Sequence, residues 1–100
     1  MKSMIAIAIA AAALCGSAVA ADADNGKVVY NAKGCIGCHG VDGNSVIPAN
    51  PVLRGRDSQY ITDALIGFKR GTRQNATMNA MAGLLSDDEI KDVAAYLSAQ

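Results

Sequence analysis

Cys35-Ile36-Gly37-Cys38-His39 is the stretch on which the reading of this chain turns. Two cysteines three apart on one turn of helix can each form a thioether to one of the two vinyl groups of a haem. The histidine that follows is placed so that its imidazole rises toward the iron of the same macrocycle. C-x-x-C-H is the attachment pattern of c-type haem. His39 is the only histidine in the chain, so no other imidazole competes for the role. A proximal ligand needs an acceptor for its second ring nitrogen, to fix tautomer and ring plane. A backbone carbonyl from Asn50-Pro51-Val52-Leu53 is the candidate.

Two rival chemistries fall away. A structural zinc site takes four nitrogen or sulfur ligands, and downstream of residue 20 the chain offers only Cys35, Cys38 and His39. A dithiol oxidoreductase opens a helix with its C-x-x-C after a strand, in a βαβ setting. No alternating strand pattern precedes Cys35.

Residues 1–20 read as a cleaved export signal. Lys2 gives a positive start, Met4 to Leu14 is an unbroken apolar run, and Ala18-Val19-Ala20 is a small-x-small cleavage pattern. The third cysteine, Cys15, leaves with this segment. An uncleaved anchor is the alternative, because Met4 to Ala21 holds no charge. The run is mostly alanine, which drives insertion weakly, so no stable membrane insertion is expected once the signal is removed. The predicted organisation is therefore a signal over 1–20 and one domain over 21–100, in the periplasm.

Without Lys2 the chain carries one basic residue fewer than acidic, net −1. That balance excludes a general nucleic-acid binder, which shows a basic excess. A domain of about 80 residues buries a modest core, and no Trp and one Phe make it thinner. A covalently held haem would supply the apolar surface that such a chain lacks.

Three helices are predicted. One runs from about Asp24, as N-cap, to Lys33, stopped by Gly34. A second starts at Asp57 or Ser58 and ends at Arg70-Gly71, with Ile61, Leu65 and Phe68 on one stripe. Ser86-Asp87-Asp88-Glu89 is a capping box that opens the third, with Leu85 and Ile90 as a hydrophobic staple. Residues 40–56 make a long loop, of the kind that wraps a bound group. The expected class is all-α.

A second axial ligand must come from Met78 or Met81, and spacing does not separate them. Both lie in Asn75 to Gly83, read as a helix-poor loop between helices. A thioether is a soft ligand that favours ferrous iron. Asn79 or Thr77 could hydrogen-bond near the sulfur. Leu53, Tyr60, Leu65, Phe68 and Leu85 are candidate pocket walls. Arg54, Arg56 and Arg73 are candidate partners of the haem propionates, with Arg73 first. Ile36, Val46, Ile47 and Ala82 are candidates for an apolar rim.

In these residues the chain resembles a class I cytochrome c of the short bacterial kind. It is similar to one domain of cytochrome c4, to the c553 group, and to the haem subunit of flavocytochrome c sulfide dehydrogenase. The resemblance runs from Gly26 to the last helix. Cys35 to Ser45 resembles the attachment stretch, and Pro51-x-Leu53-x-Gly55 the proline loop whose carbonyl accepts from the proximal histidine. Gly26 and Tyr30, with Val93 and Tyr96, resemble the family's crossing of terminal helices. The axial methionine stands eight residues before the serine that caps the last helix, which implies Met78.

The resemblance implies three to four helices wrapped around one haem c, bound through Cys35 and Cys38, with His39 and Met78 on the iron. It implies a carrier of single electrons between redox proteins, such as a flavoprotein dehydrogenase and a terminal oxidase or reductase. The alternatives are a fixed haem subunit of a larger dehydrogenase, or a five-coordinate sensor or peroxidase.

Overall fold

A computed structural model describes residues 20–100, so the expected signal over 1–20, Cys15 included, lies outside the described residues except for Ala20. Five α-helices follow in order: α1 Ala23–Ala32, α2 Cys35–His39, α3 Ser58–Arg70, α4 Ala76–Gly83 and α5 Asp87–Ser98. A single 3-10 turn, Val41–Gly43, follows α2. Among the described residues there is no strand, and no helix is long and apolar enough to cross a membrane.

The caps explain the boundaries. In α1 the cap is Asp22, whose carboxylate accepts from the Asn25 N–H at 3.1 Å. Asp24, expected as the cap, lies in the first turn instead, where its charge faces the helix's positive end. Asp57 caps α3 by accepting from Tyr60 N–H at 3.1 Å, and Gly71 ends it at φ 82°. Ser86 and Glu89 close a reciprocal capping box on α5, at 3.0 and 2.9 Å. Leu85 and Ile90, the expected staple, are both buried in one core cluster.

One prediction is corrected. Asn75 to Gly83 is a helix entered from an Asn75 cap, not a loop. Its residues Ala-Thr-Met-Asn-Ala-Met-Ala-Gly carry almost no polar–apolar periodicity, so the pattern argument has nothing to grip.

The core sits where α1 crosses α5. Val29 and Tyr30 from α1 meet Ile90, Val93, Ala94, Tyr96 and Leu97 from α5, all buried. Gly26 permits the approach, because a Cβ there would stand 2.0 Å from the Asp92 carbonyl oxygen. Tyr30 and Tyr96 pack with ring centroids 5.5 Å apart. The Asp92 carboxylate then fastens the start of α1, accepting from Asp22 N–H at 2.8 Å and Asn25 Nδ2 at 2.9 Å. α3 covers one side of this pair through Ile61. It is also tied to the start of α5 by Lys69 and Arg70, which pair with Asp87 at 3.0 and 3.4 Å.

Candidate functional site

α2 is a single turn held between two glycines in positive φ, Gly34 at 84° and Gly40 at 82°. It presents Cys35, half-buried, Cys38, exposed, and His39, buried to 7% exposure. Burial pushes the Cys35 thiol above its usual value, which keeps it protonated at neutral pH.

His39 Nδ1 lies 3.0 Å from the Pro51 carbonyl oxygen. A carbonyl only accepts, so Nδ1 carries the hydrogen and Nε2 of the neutral ring keeps its lone pair. Asn50, the residue before, sends Nδ2 to the Cys38 carbonyl at 2.9 Å. No motif announces this second tie between the loop and α2; an asparagine next to the proline is its only signal.

The segment after α2 is fixed with equal care. Tyr30 Oη donates to the Gly40 carbonyl at 2.6 Å. The Gly43 carbonyl accepts from Leu53 N–H at 2.9 Å and Arg54 N–H at 3.1 Å. Asp42 stands in the left-handed region at φ 55°, and its carboxylate accepts from Tyr96 Oη. Burial, then the Asp42 carboxylate, pushes the Tyr96 hydroxyl well above the usual phenol range. Burial does the same to Tyr30, pushed up to about 12.

One cavity of about 510 Å³ opens beside α2. Cys35, Cys38, His39, Pro51, Leu53, Arg73, Met78 and Met81 all border it, so the structure gathers the candidate attachment and axial residues around one space. All five wall candidates border it too, with Tyr60 at 45% exposure and Leu85 at 3%. Leu65 and Phe68, from the α3 stripe, are half-buried because they face this space.

Of the three candidate arginines only Arg73 reaches the cavity. Its guanidinium lies 4.8 Å over the Phe68 ring. Among the described residues the ion pairs are those of Lys69 and Arg70 with Asp87, so Arg73 has no carboxylate partner there. Arg56 instead stacks on Tyr60 at 4.6 Å.

Two further expectations change. Ala82 is 1% exposed and belongs to the interior, not to a rim. Ile36, Val46 and Ile47 do share a shallow cleft beside Cys38, with Val46 at 89% exposure. Asn79 gives no hydrogen to a sulfur, because its amide is engaged elsewhere.

The donor set fits a haem. Two thiols three apart, an imidazole with Nε2 free, thioethers and an unpaired guanidinium surround a mostly apolar cavity. Fold and site together define a c-type haem protein. The chain belongs to the cytochrome c family, whose profile matches residues 23–100.

Cytochrome c-554(548) of Halomonas halodenitrificans is 39% identical over 69 residues, covering 66% of this chain and 83% of that one. The cytochrome subunit of sulfide dehydrogenase of Chlorobaculum tepidum is 44% identical over 64 residues, covering 62% of this chain and 56% of that one. A solved cytochrome c4 of Acidithiobacillus ferrooxidans superposes with a TM-score of 0.73 at 36% identity, covering 85% of this chain and 53% of that one. The chain thus spans just over half the length of the last two. The family carries haem c covalently, and its members are electron carriers.

Proposed function

We propose that the chain is a monohaem carrier of single electrons in the periplasm, its iron held between His39 Nε2 and the Met78 sulfur. The haem, once bound through Cys35 and Cys38, supplies the ferric–ferrous couple. The observation that carries the reading is the His39 Nδ1–Pro51 hydrogen bond at 3.0 Å, in a cavity that also admits Met78. That bond fixes the ring plane and leaves Nε2 as the ligating nitrogen. Met81 borders the same cavity on the side of the attachment turn, its terminal methyl 3.7 Å from where a Gly34 Cβ would stand.

Two filled axial sites leave no open position for a substrate, and fixed ligands keep reorganisation small. Arg73 is the residue to pair with a propionate, being the cation on the cavity wall with no other partner there. The cleft of Ile36, Val46 and Ile47 suits brief docking of a redox protein, since such encounters use small interfaces. Export follows from residues 1–20, and the mass of protein recovered from the periplasm tests cleavage after Ala20.

The axial assignment is tested by the ferric spectrum. A weak sulfur-to-iron charge-transfer band at its red end is expected, lost in Met78→Ala and kept in Met81→Ala. The reverse pattern moves the ligand to Met81. No band in the wild type, with ready carbon monoxide binding by the ferrous protein, overturns six-coordination. A second reading, a fixed haem subunit of a dehydrogenase, draws support from the Chlorobaculum tepidum relative. Co-purification with a flavin-containing chain would select it over the free carrier.

A further inference from the structure

Asn79 follows Met78 on α4, half-buried, and all of its side chain is engaged with backbone. Nδ2 donates to the Phe68 carbonyl at 2.8 Å and to the Arg73 carbonyl at 2.8 Å. Oδ1 accepts from Asn75 N–H at 3.0 Å. A primary amide has two donor hydrogens and one carbonyl oxygen, so neither hydrogen is left for a sulfur.

The three partners are not scattered. Phe68 lies in the last turn of α3, where carbonyls run out of helical N–H partners. Arg73 belongs to the connecting turn. Asn75 caps α4, and its own side chain accepts from Met78 N–H at 3.0 Å. Phe68 and Arg73 also stack on each other and border the cavity. One amide thus closes a circuit from the cavity wall, through the α4 cap, to the backbone of Met78.

We propose that Asn79 is a positioning residue that holds the Met78 turn against the cavity wall and so keeps the sulfur on the iron. This rests on Met78 being the axial ligand. A neutral thioether is exchangeable, and the closed turn competes with one swung away from the cavity. An added ligand binds only the swung-away state, so its apparent affinity scales with the population of that state. Removing both Nδ2 donations leaves the part-buried Phe68 carbonyl with only the long 3.4 Å bond from Gly71 N–H, and the exposed Arg73 carbonyl to water, a loss worth about fivefold in such an equilibrium.

The test uses the haem-loaded protein and imidazole. Asn79→Ala is expected to bind imidazole to the ferric form about fivefold more tightly than wild type. Asn79→Ser, which keeps one short donor, is expected in between, and serves if the alanine variant does not fold. Ser86→Ala, a cap on a different helix, should lower the melting temperature and leave imidazole affinity unchanged. If the Asn79 variants melt lower but bind imidazole as wild type does, the circuit is merely structural and the proposal is overturned. The wild-type charge-transfer band, recorded first, separates the two claims: its absence removes the Met78 assignment and the positioning role with it.

Discussion

The two sides of the cavity fix their candidate ligands differently. On the histidine side the ligand belongs to the attachment motif itself. One hydrogen bond to Pro51 sets its ring, and ties to Gly40, Asp42 and Gly43 anchor the segment that follows. On the methionine side no motif surrounds the sulfur. A short helix of small residues, capped by Asn75, is hung from α3 and the turn after it by the Asn79 amide. The first side is built into the core, since Tyr30 and Tyr96 are core residues. The second is fastened at its edge, so a methionine ligand supplied from there should be the one that exchanges.

The largest effect expected is from His39→Ala, which should abolish the low-spin haem spectrum, whereas Met78→Ala should retain covalent haem with an open sixth position. Comparison of their absorption spectra, and of carbon monoxide binding, checks this. Next comes Gly43→Ala. Its φ is 77°, and a Cβ would stand 2.7 Å from Leu97 Cδ2 and 2.9 Å from Arg54 N. A loss of about 2–4 kcal/mol is expected in denaturant unfolding. Tyr96→Phe removes the partner of the Asp42 carboxylate and should cost about 1–3 kcal/mol by the same measurement.

A gentler effect follows from pH. Tyr30 is neutral in the fold, with its hydroxyl pushed up to about 12 by burial, against about 10 in the unfolded chain. The unfolded state therefore loses its proton first as pH rises. Stability contributed by the neutral phenol is complete below about pH 10 and is lost toward pH 12. Melting curves across that range should show the decline, and Tyr30→Phe should make it shallower. Smallest of all is Asp87→Asn. The carboxylate is held below its usual range by the Lys69 ammonium, yet it is exposed, so the melting temperature should barely move and any shift should vanish in salt.

The histidine side is more legible in the sequence than the methionine side for a physical reason. Attachment needs five consecutive residues, and capping boxes need four, so Cys35 to His39 and Ser86 to Glu89 are local patterns. The α3 stripe is also local and periodic. The α4 helix has neither property: its apolar residues lie all round, and it exists because Asn75 caps it while Asn79 bonds to α3 and the turn after it. The 3-10 turn depends on Tyr96, a residue 54 positions away from Asp42. Asp22 displaces Asp24 as the α1 cap because Asp92, on the last helix, holds the Asp22 backbone. Ala82 would reach a rim only if its segment were a loop.

The crossing at Gly26 has a consequence for how the domain assembles. Its fastening joins Asp22 to Asp92, 70 positions apart, so most of the described domain must be gathered before the core exists. The entropic cost of closing so long a loop rises only logarithmically with its length, but it falls due in a single step. Neither terminal helix can persist without the other. Their amide protons should exchange with solvent as one cooperative unit, and deleting either helix should melt the other.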